Sequence, residues 1–316
     1  MKKVKWLSVL MIMMLIYVTG CSDEKATSDS KEGDGQVTIG VSYQNLQNEY
    51  IVALQESLRK NAKDSGIKLV ESDGLGKAEN QISQVENFIN QNVDAIILNP
   101  VDKNGSAPAV EMASASKIPI ITILSVVAND DKVTAHVGSD DIEAGKIEMQ
   151  HIADLLGGKG NVAIIHGPNG QSAEVNRTEG NYEVLKNYPD MKVVAEQTAN
   201  WSRAEALALT ENWLQTQKLD AIIGQNDEMA LGALKALKAA GKLNETKVIG
   251  IDAIPDALKS VESGELSATV FQDVESQGRL GIEVGLKAAK GEKVEKDNFV
   301  PFQLVSKENI EDFTDN

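Results

Sequence analysis

The chain of 316 residues has a single cysteine, Cys21, and only three histidines. A single cysteine excludes an intrachain disulfide. The histidines, His136, His151 and His166, have no His or Cys neighbour at metal-ligand spacing, so we expect no zinc site and no other metal. The fold must therefore be held together by its own packing.

Enzyme motifs are also missing. Gly74 and Gly76 lack the third glycine of a dinucleotide-binding loop, and the sequence has neither a phosphate-binding Gly-x-x-x-x-Gly-Lys-Ser/Thr loop nor a Gly-x-Ser-x-Gly elbow. Asp140 and Asp141 could in principle be the acid pair of a glycosidase, but adjacent acids beside Gly-Ser are more often a turn or helix cap. We predict a protein that is not an enzyme and uses no cofactor, with a glycosidase as the alternative.

Positive charge is scarce, with 31 Lys+Arg against 47 Asp+Glu and a formal net charge of −16. Cleavage after residue 20 would remove Lys2, Lys3 and Lys5 and leave 28 against 47, a charge near −19. Such a surface repels nucleic acid. An acidic surface favours a neutral or cationic ligand. A role in solubility alone would explain the negative charge equally well.

The one long apolar run, from Trp6 to Val18, follows a basic start and is too short for a permanent membrane span. It predicts a signal peptide over residues 1–20. Val18-Thr19-Gly20-Cys21 resembles a bacterial lipobox, so we expect lipidation of Cys21; the alternative is an ordinary signal peptide. Residues 21–36 are polar and predict a disordered tether. These features together place the protein on the outer face of the cytoplasmic membrane.

From residue 37 onward, short β-branched runs alternate with helical apolar spacing, which predicts an α/β fold with parallel sheets. Residues 93–99 and 219–226 are alike, each a buried strand ending near an asparagine, Asn99 or Asn226. They indicate two similar lobes facing one cleft, although chance similarity is an alternative. The predicted strands are Val37–Val41, Ile67–Glu71, Ala95–Leu98, Pro119–Leu124, Val133–Val137, Val162–His166, Val193–Glu196, Ala221–Ile223, Val248–Ile251 and Ala268–Phe271.

Ligands of open α/β sheets bind beyond the carboxyl ends of the strands. At or near these ends the sequence offers planar hydrogen-bonding groups and aromatic rings, a combination suited to a polyhydroxylated ring. Taken singly these residues are ambiguous, because Trp201 could be a core or surface aromatic and Asp252 a helix cap. The candidate ligand contacts are Asn48, Tyr50, Asn99, Arg177, Trp201, Asn226, Asp252 and Gln272.

Longer motifs resemble a known family. These are Asn-Asp-Glu-Met-Ala-Leu-Gly-Ala at 226–233, Gly-Ile-Asp at 250–252 with Pro255-Asp256, Ile118-Pro119, Gly-Ser-Asp at 138–140, and the stretch 172–180. They look like the ribose/galactose-type (type I) periplasmic sugar-binding proteins of ABC transporters, whose fold is shared with Lac-repressor ligand cores. The resemblance covers nearly the whole chain after residue 37.

The resemblance implies ligand contacts at the same eight residues. It also implies two Rossmann-like lobes, residues 37–138 with 273–301 and residues 139–272 with 302–316, joined by three hinge segments near Ser139, Gln272 and Phe302. Closure of the lobes on a small neutral sugar or polyol would be the signal read by an ABC permease. We expect a monomer. A transcription regulator of this fold would carry an N-terminal DNA-binding motif where this chain has its predicted signal peptide.

The departures from ribose receptors concern specificity. Leu124-Ser125 stands where those receptors have an Asp-Arg pair, and Glu49 and Ile51 replace a proline and an aromatic. The segment 200–205 instead looks like a branch that includes inositol and polyol binders. We therefore predict a lipid-anchored sugar or polyol receptor of an ABC importer. The alternatives are the ligand-binding component of a sugar sensor or chemotaxis system, and the glycosidase.

Overall fold

Buried strands alternate with helices throughout residues 35–314, the part of the chain that the computed structural model describes. The predicted signal peptide, Cys21 and nearly all of the predicted tether lie outside these residues. The α/β prediction is confirmed. All ten predicted strands are present, with ends shifted by a few residues at most.

The first lobe is built on a six-stranded parallel sheet with strand order β11-β5-β4-β3-β1-β2. Its strands are β1 (Thr38–Tyr43), β2 (Lys68–Asp73), β3 (Ala95–Leu98), β4 (Ile120–Ile123), β5 (Ala135–Gly138) and β11 (Asp297–Phe299). Its helices are α1 (Glu49–Asp64), α2 (Ala78–Asn90), α3 (Ala107–Ala115), α9 (Val274–Ala289) and a short 3₁₀ turn, Asp130–Lys132.

The second lobe repeats this plan with strand order β12-β10-β9-β8-β6-β7, in which only the β10–β12 pair is antiparallel. Its strands are β6 (Lys159–His166), β7 (Asp190–Thr198), β8 (Ala221–Gly224), β9 (Lys247–Asp252), β10 (Ala268–Phe271) and β12 (Gln303–Ser306). Its helices are α4 (Asp141–Leu156), α5 (Ser172–Leu185), α6 (Arg203–Thr216), α7 (Asp227–Ala239) and α8 (Pro255–Glu262), followed by α10 (Glu311–Thr314).

The central strands are mostly apolar and almost fully buried because both faces of each sheet are covered by helices. In β3, Ala95 and Ile97 pack into the cluster formed with α1 and α9, while Ile96 and Leu98 pack into the cluster formed with α2 and α3. Successive side chains point to opposite faces of a strand. A continuous four-residue apolar run therefore serves two cores at once.

The chain passes between the sheets three times: between β5 and α4, between β10 and α9, and between β11 and β12. The predicted hinge residues Ser139, Gln272 and Phe302 lie in these three passages. Their role in lobe movement stays a prediction. We propose the lobe boundaries 37–138 with 273–301 and 139–272 with 302–316, which this topology supports. Among residues 35–314 no helix is long and apolar enough to cross a membrane.

Candidate functional site

A cavity lies where the carboxyl ends of both sheets meet. The structure brings all eight candidate ligand residues to this one cavity. Seven further residues line it that the sequence had not singled out as ligand contacts. The lining residues are Gln44, Asn48, Tyr50, Ile51, Asn99, Leu124, Ser125, Asp141, Gln171, Ala173, Arg177, Trp201, Asn226, Asp252 and Gln272.

Arg177, on the first half of α5, is the only positively charged residue in this lining. Its side chain is 6% exposed and its Nε donates to Asp141 Oδ1 at 2.9 Å. One terminal nitrogen donates to the carbonyl of Gln225 and the other to Gln272 Oε1 at 3.3 Å. A guanidinium has five N–H groups. Two of them therefore remain available to a bound molecule.

Aromatic rings flank the same guanidinium. Its central carbon lies 5.7 Å from the Trp201 ring centroid and 5.9 Å from that of Phe302. These distances are within the range of cation–π attraction. These contacts and the hydrogen bonds hold the guanidinium group in place before any ligand arrives.

Asp252, the last residue of β9, is 8% exposed, and its carboxylate accepts no hydrogen bond from the residues that the structure describes. Burial raises the pKa of this carboxyl well above its ordinary value, and the Arg177 charge opposes that rise. Its φ is +124° and that of Ala253 is +58°, values that non-glycine residues rarely adopt. Strain of this kind is found where a side chain must be aimed at a site. Asp252 is thus free to hydrogen-bond a ligand hydroxyl.

Two asparagines cap helices with one end of their amide. Asn48 Oδ1 accepts from Ile51 N–H at the start of α1, and Asn226 Oδ1 accepts from Met229 N–H at the start of α7. These caps leave the amide NH₂ groups of both side chains without a protein partner among the described residues. They are donors held in place by the helices that they begin.

Asn99 and Tyr50 already use more of their hydrogen-bonding groups in bonds to other protein groups. Asn99 accepts from Gln44 N–H at 3.2 Å and donates to the Ile123 carbonyl at 3.1 Å, so it ties together three strand ends. The Tyr50 hydroxyl donates to Gln277 Oε1 at 2.6 Å, and its ring packs in the first lobe's core. Each retains only part of its hydrogen-bonding capacity for a ligand, and Tyr50 offers chiefly its ring.

Trp201 stands on a strained turn in which Asn200 and Trp201 have φ of +51° and +59°. Asn200 N–H donates to Thr198 Oγ1 at 3.2 Å, and the indole Nε1 donates to Gln171 Oε1. The ring lies against Gly167, where an added Cβ would be 2.0 Å from the indole Cζ2. Glycine is therefore required at 167 for the ring to occupy this position.

Part of the lining is apolar. Leu124, with φ of +65°, and Ile51 come from the first lobe, and Ala173 from the second. Residue 125, a serine, has its N–H bonded to the Ile123 carbonyl. No charged pair stands at 124–125, so this wall cannot grip hydroxyls through ionised groups.

Four polar lining residues were not among the candidate ligand contacts: Ser125, which entered only the argument on specificity, and Gln44, Asp141 and Gln171. Gln44 follows β1, and Asp141 lies three residues after β5, so the strand-end rule could have found both. Asp141 had been interpreted with Asp140 as a turn or cap; Asp140 is the N-cap of α4, whereas Asp141 pairs with Arg177. Gln171 lies five residues beyond β6 and carried no comparable sequence signal.

Among the described residues no group of three or more His, Cys, Asp or Glu side chains is placed to hold a metal ion. The site instead consists of amide, carboxyl and guanidinium groups with aromatic and aliphatic walls. A polar cavity between two α/β lobes crossed by three chain segments defines a solute-binding protein.

Comparison with known proteins identifies the family. A family model described as a periplasmic binding protein domain matches residues 39–293. The chain therefore belongs to the periplasmic binding protein family, and the resemblance to its type I sugar-binding members is confirmed.

Relatives bind several sugars and polyols. The chain is 38% identical over 294 residues to a xylitol-binding protein of Mycolicibacterium smegmatis, covering 92% of this chain and 82% of the relative. It is 36% identical over 304 residues to the ribose import binding protein of Bacillus subtilis, covering 95% and 98%. A solved ABC transporter solute-binding protein from Bacillus halodurans, with bound myo-inositol, is 41% identical with a TM-score of 0.86, covering 89% of this chain and 98% of that one.

Proposed function

We propose that this protein is a lipid-anchored receptor on the outer face of the cytoplasmic membrane that captures a cyclic polyol and delivers it to an ABC importer. It acts by binding and carries out no catalysis. The ligand sits in the interlobe cavity and contacts Arg177, Asp252, Asn226, Asn48 and Gln272 through hydrogen bonds. Trp201 and Tyr50 provide ring faces for its C–H groups.

The observation that carries this proposal is that Arg177 and Asp252 line the same cavity and both have hydrogen-bonding capacity that the protein does not use. Arg177 has two N–H groups to spare, and the buried Asp252 carboxyl has no protein partner among the described residues. Neighbouring hydroxyls of a polyol match such a donor and acceptor set, because each hydroxyl both donates and accepts. Hydrogen bonds to charged groups contribute about 1.5–3 kcal/mol each.

The apolar wall supports a cyclitol or hexose in preference to ribose. A hydroxyl facing Leu124 would lose its water without gaining a partner, at a cost of about 1–3 kcal/mol. A larger or differently substituted ring, such as a cyclitol or hexose, can turn a C–H face towards Leu124 and keep its hydroxyls for the polar groups. The myo-inositol bound to the Bacillus halodurans relative supports the same assignment.

Competition titration calorimetry with myo-inositol, glucose, xylitol and ribose tests the ligand. We expect the tightest binding for a cyclitol or hexose and an affinity for ribose at least tenfold lower. Leu124→Asp with Ser125→Arg should shift the preference towards ribose. Tightest binding of ribose by the wild-type protein would refute the cyclitol assignment.

The anchor and the transporter rest on separate support. Val18-Thr19-Gly20-Cys21 provides the lipidation motif, and the Bacillus halodurans relative is described as an ABC transporter solute-binding protein. A ligand-dependent rise in ATP hydrolysis by the cognate importer would support delivery. Signalling by a sensor kinase or chemoreceptor, with no transporter response, would instead favour the sensory alternative.

A further inference from the structure

Two hydrogen bonds join the lobes at the hinge segments, from the Tyr50 hydroxyl to the Gln272 carbonyl and from Gln277 Nε2 to Ser139 Oγ. The other hydrogen bonds between the lobes, among the described residues, end on one short segment of the second lobe, residues 170–172. Lys103 N–H donates to the Gly170 carbonyl at 3.1 Å, and Val126 N–H donates to Ser172 Oγ at 2.9 Å. Gln171 Nε2 donates to Gln44 Oε1. We call residues 170–172 the interlobe segment. These bonds come from three different loops of the first lobe, after β1, β3 and β4.

The groups that would hold a ligand are nearly inaccessible in this arrangement. Arg177 is 5% exposed, Asn226 3% and Asp252 8%. A polyol can reach or leave them only if the lobes separate, which breaks the bonds made by the interlobe segment. These bonds therefore belong to the ligand's exit barrier.

Gln171 differs from its neighbours because its side chain bonds in both directions. Its Nε2 reaches Gln44 in the first lobe, while its Oε1 accepts the indole N–H of Trp201 in its own lobe. The residue is 4% exposed. Both ends of its amide are thus bound to protein groups on the cavity wall, which leaves it a smaller hydrogen-bonding capacity for ligand.

Trp201, whose indole N–H is bonded to Gln171, has a strained backbone conformation. Asn200 and Trp201 both occupy the left-handed region, a backbone conformation that is unfavourable for a bulky residue such as tryptophan. The indole bond to Gln171 is one of the contacts that offset this cost. Releasing the lobes would therefore also weaken the restraint on the Trp201 ring.

We propose that Gln171 is a positioning residue that couples lobe closure to the orientation of Trp201, so that closing the lobes also sets the aromatic wall of the site. This proposal rests on the ligand-binding function proposed above. When Gln44 and Gln171 separate, the indole loses the fixed acceptor that orients it. The residue controls how long a ligand is retained more than how fast it enters.

The test is stopped-flow binding of myo-inositol, or of the best-bound polyol from the titrations, to the full chain and three glutamine-to-methionine variants. Gln171→Met removes both bonds, Gln44→Met removes only the interlobe bond, and Gln150→Met is the control. Gln150 donates to Asp154 Oδ1 and Tyr188 OH within the second lobe, away from the cavity. Trp6→Phe and Trp213→Phe in every protein leave Trp201 as the remaining tryptophan.

We expect the dissociation rate to rise about five- to tenfold in Gln44→Met, and further in Gln171→Met, with association rates changed less than threefold. The emission of Trp201 in the ligand-saturated protein should shift only in Gln171→Met. Gln150→Met should match the wild type in both measurements.

A dissociation rate in Gln171→Met within twofold of the wild type would overturn the proposal. An equal rise in Gln150→Met would do the same, because the effect would then be general loosening. If Gln171→Met does not fold, the dissociation rate of Gln44→Met decides. A wild-type protein that binds no polyol would refute the proposed function itself, an outcome distinct from these.

Discussion

Replacing Arg177 with methionine should destabilise the protein well beyond the loss of a ligand contact. The change leaves Asp141, whose side chain is 7% exposed, without the guanidinium 2.9 Å from its carboxylate. Removing one partner of a buried ion pair costs about 3–5 kcal/mol, because the remaining charge is left buried. We expect the free energy of unfolding at pH 7.5 to fall by that amount, measured by urea unfolding followed by circular dichroism.

The loss of unfolding free energy in Arg177→Met should depend on pH in a defined direction. Burial already raises the pKa of Asp141, and Arg177 opposes that rise; without Arg177 the pKa must rise further. A carboxyl whose pKa is higher in the folded state than in the unfolded state binds its proton more tightly when folded. Its destabilising effect is therefore small below the unfolded pKa, near 4, and grows as the pH rises to the folded pKa.

The matched control is the double variant Asp141→Asn with Arg177→Met, which also removes the Asp141 charge and leaves only Asp252 and Glu148, whose pKa values Arg177 lowers as well. It should recover about half of the lost stability and show a weaker dependence on pH. Equal deficits in the single and double variants, or a loss below about 1 kcal/mol in the single variant, would refute a stabilising role of the pair.

Four further outcomes are expected. Trp201→Ala should lower polyol affinity at least tenfold in calorimetry while the thermal midpoint changes little, because the ring is only partly buried. Gly167→Ala should also weaken binding, since its Cβ would displace the indole. Glu148→Gln should stabilise the protein at pH 9 by about 2–4 kcal/mol in urea unfolding and have little effect near pH 4.5, because burial raises the pKa of Glu148 to about 8. Cys21→Ala should move the protein from the membrane fraction to the soluble fraction in cell fractionation.

Each of these predictions has a result that would contradict it. Full affinity in Trp201→Ala or Gly167→Ala would remove the indole from the binding site. An effect of Glu148→Gln that is the same at both pH values would mean that Glu148 is already ionised at low pH or stays neutral at high pH. Complete retention of Cys21→Ala in the membrane fraction would indicate a different anchor.

The sheets could be predicted from the sequence where a strand is a continuous apolar run. Ala95–Leu98, a continuous apolar run, and Ala268–Phe271, interrupted only by Thr269, were predicted with their observed ends, because such runs fit strands covered on both faces. Asp297–Phe299 and Gln303–Ser306 were not predicted. They are short and partly polar, and they become strands only by pairing with β5 and β10.

The cavity was predictable to the extent that its residues follow strands. Asn99, Asn226, Asp252 and Gln272 lie at or just beyond strand ends, and the structure places them together. Gln171 could not be found in this way, because its two partners, Gln44 and Trp201, are far from it in sequence. The folded chain alone brings these three side chains together.

The order in which the chain completes its two sheets bears on how it could be exported. β11 adds the last strand to the first sheet and β12 adds the last strand to the second, although most of each sheet precedes them by many residues. Until residues 297–306 have crossed the membrane, β5 and β10 each keep an edge of unpaired backbone groups. We expect a chain delivered N-terminus first to be unable to finish either lobe on the way. A protein with a predicted signal peptide would then remain incompletely folded until nearly its whole length had crossed the membrane.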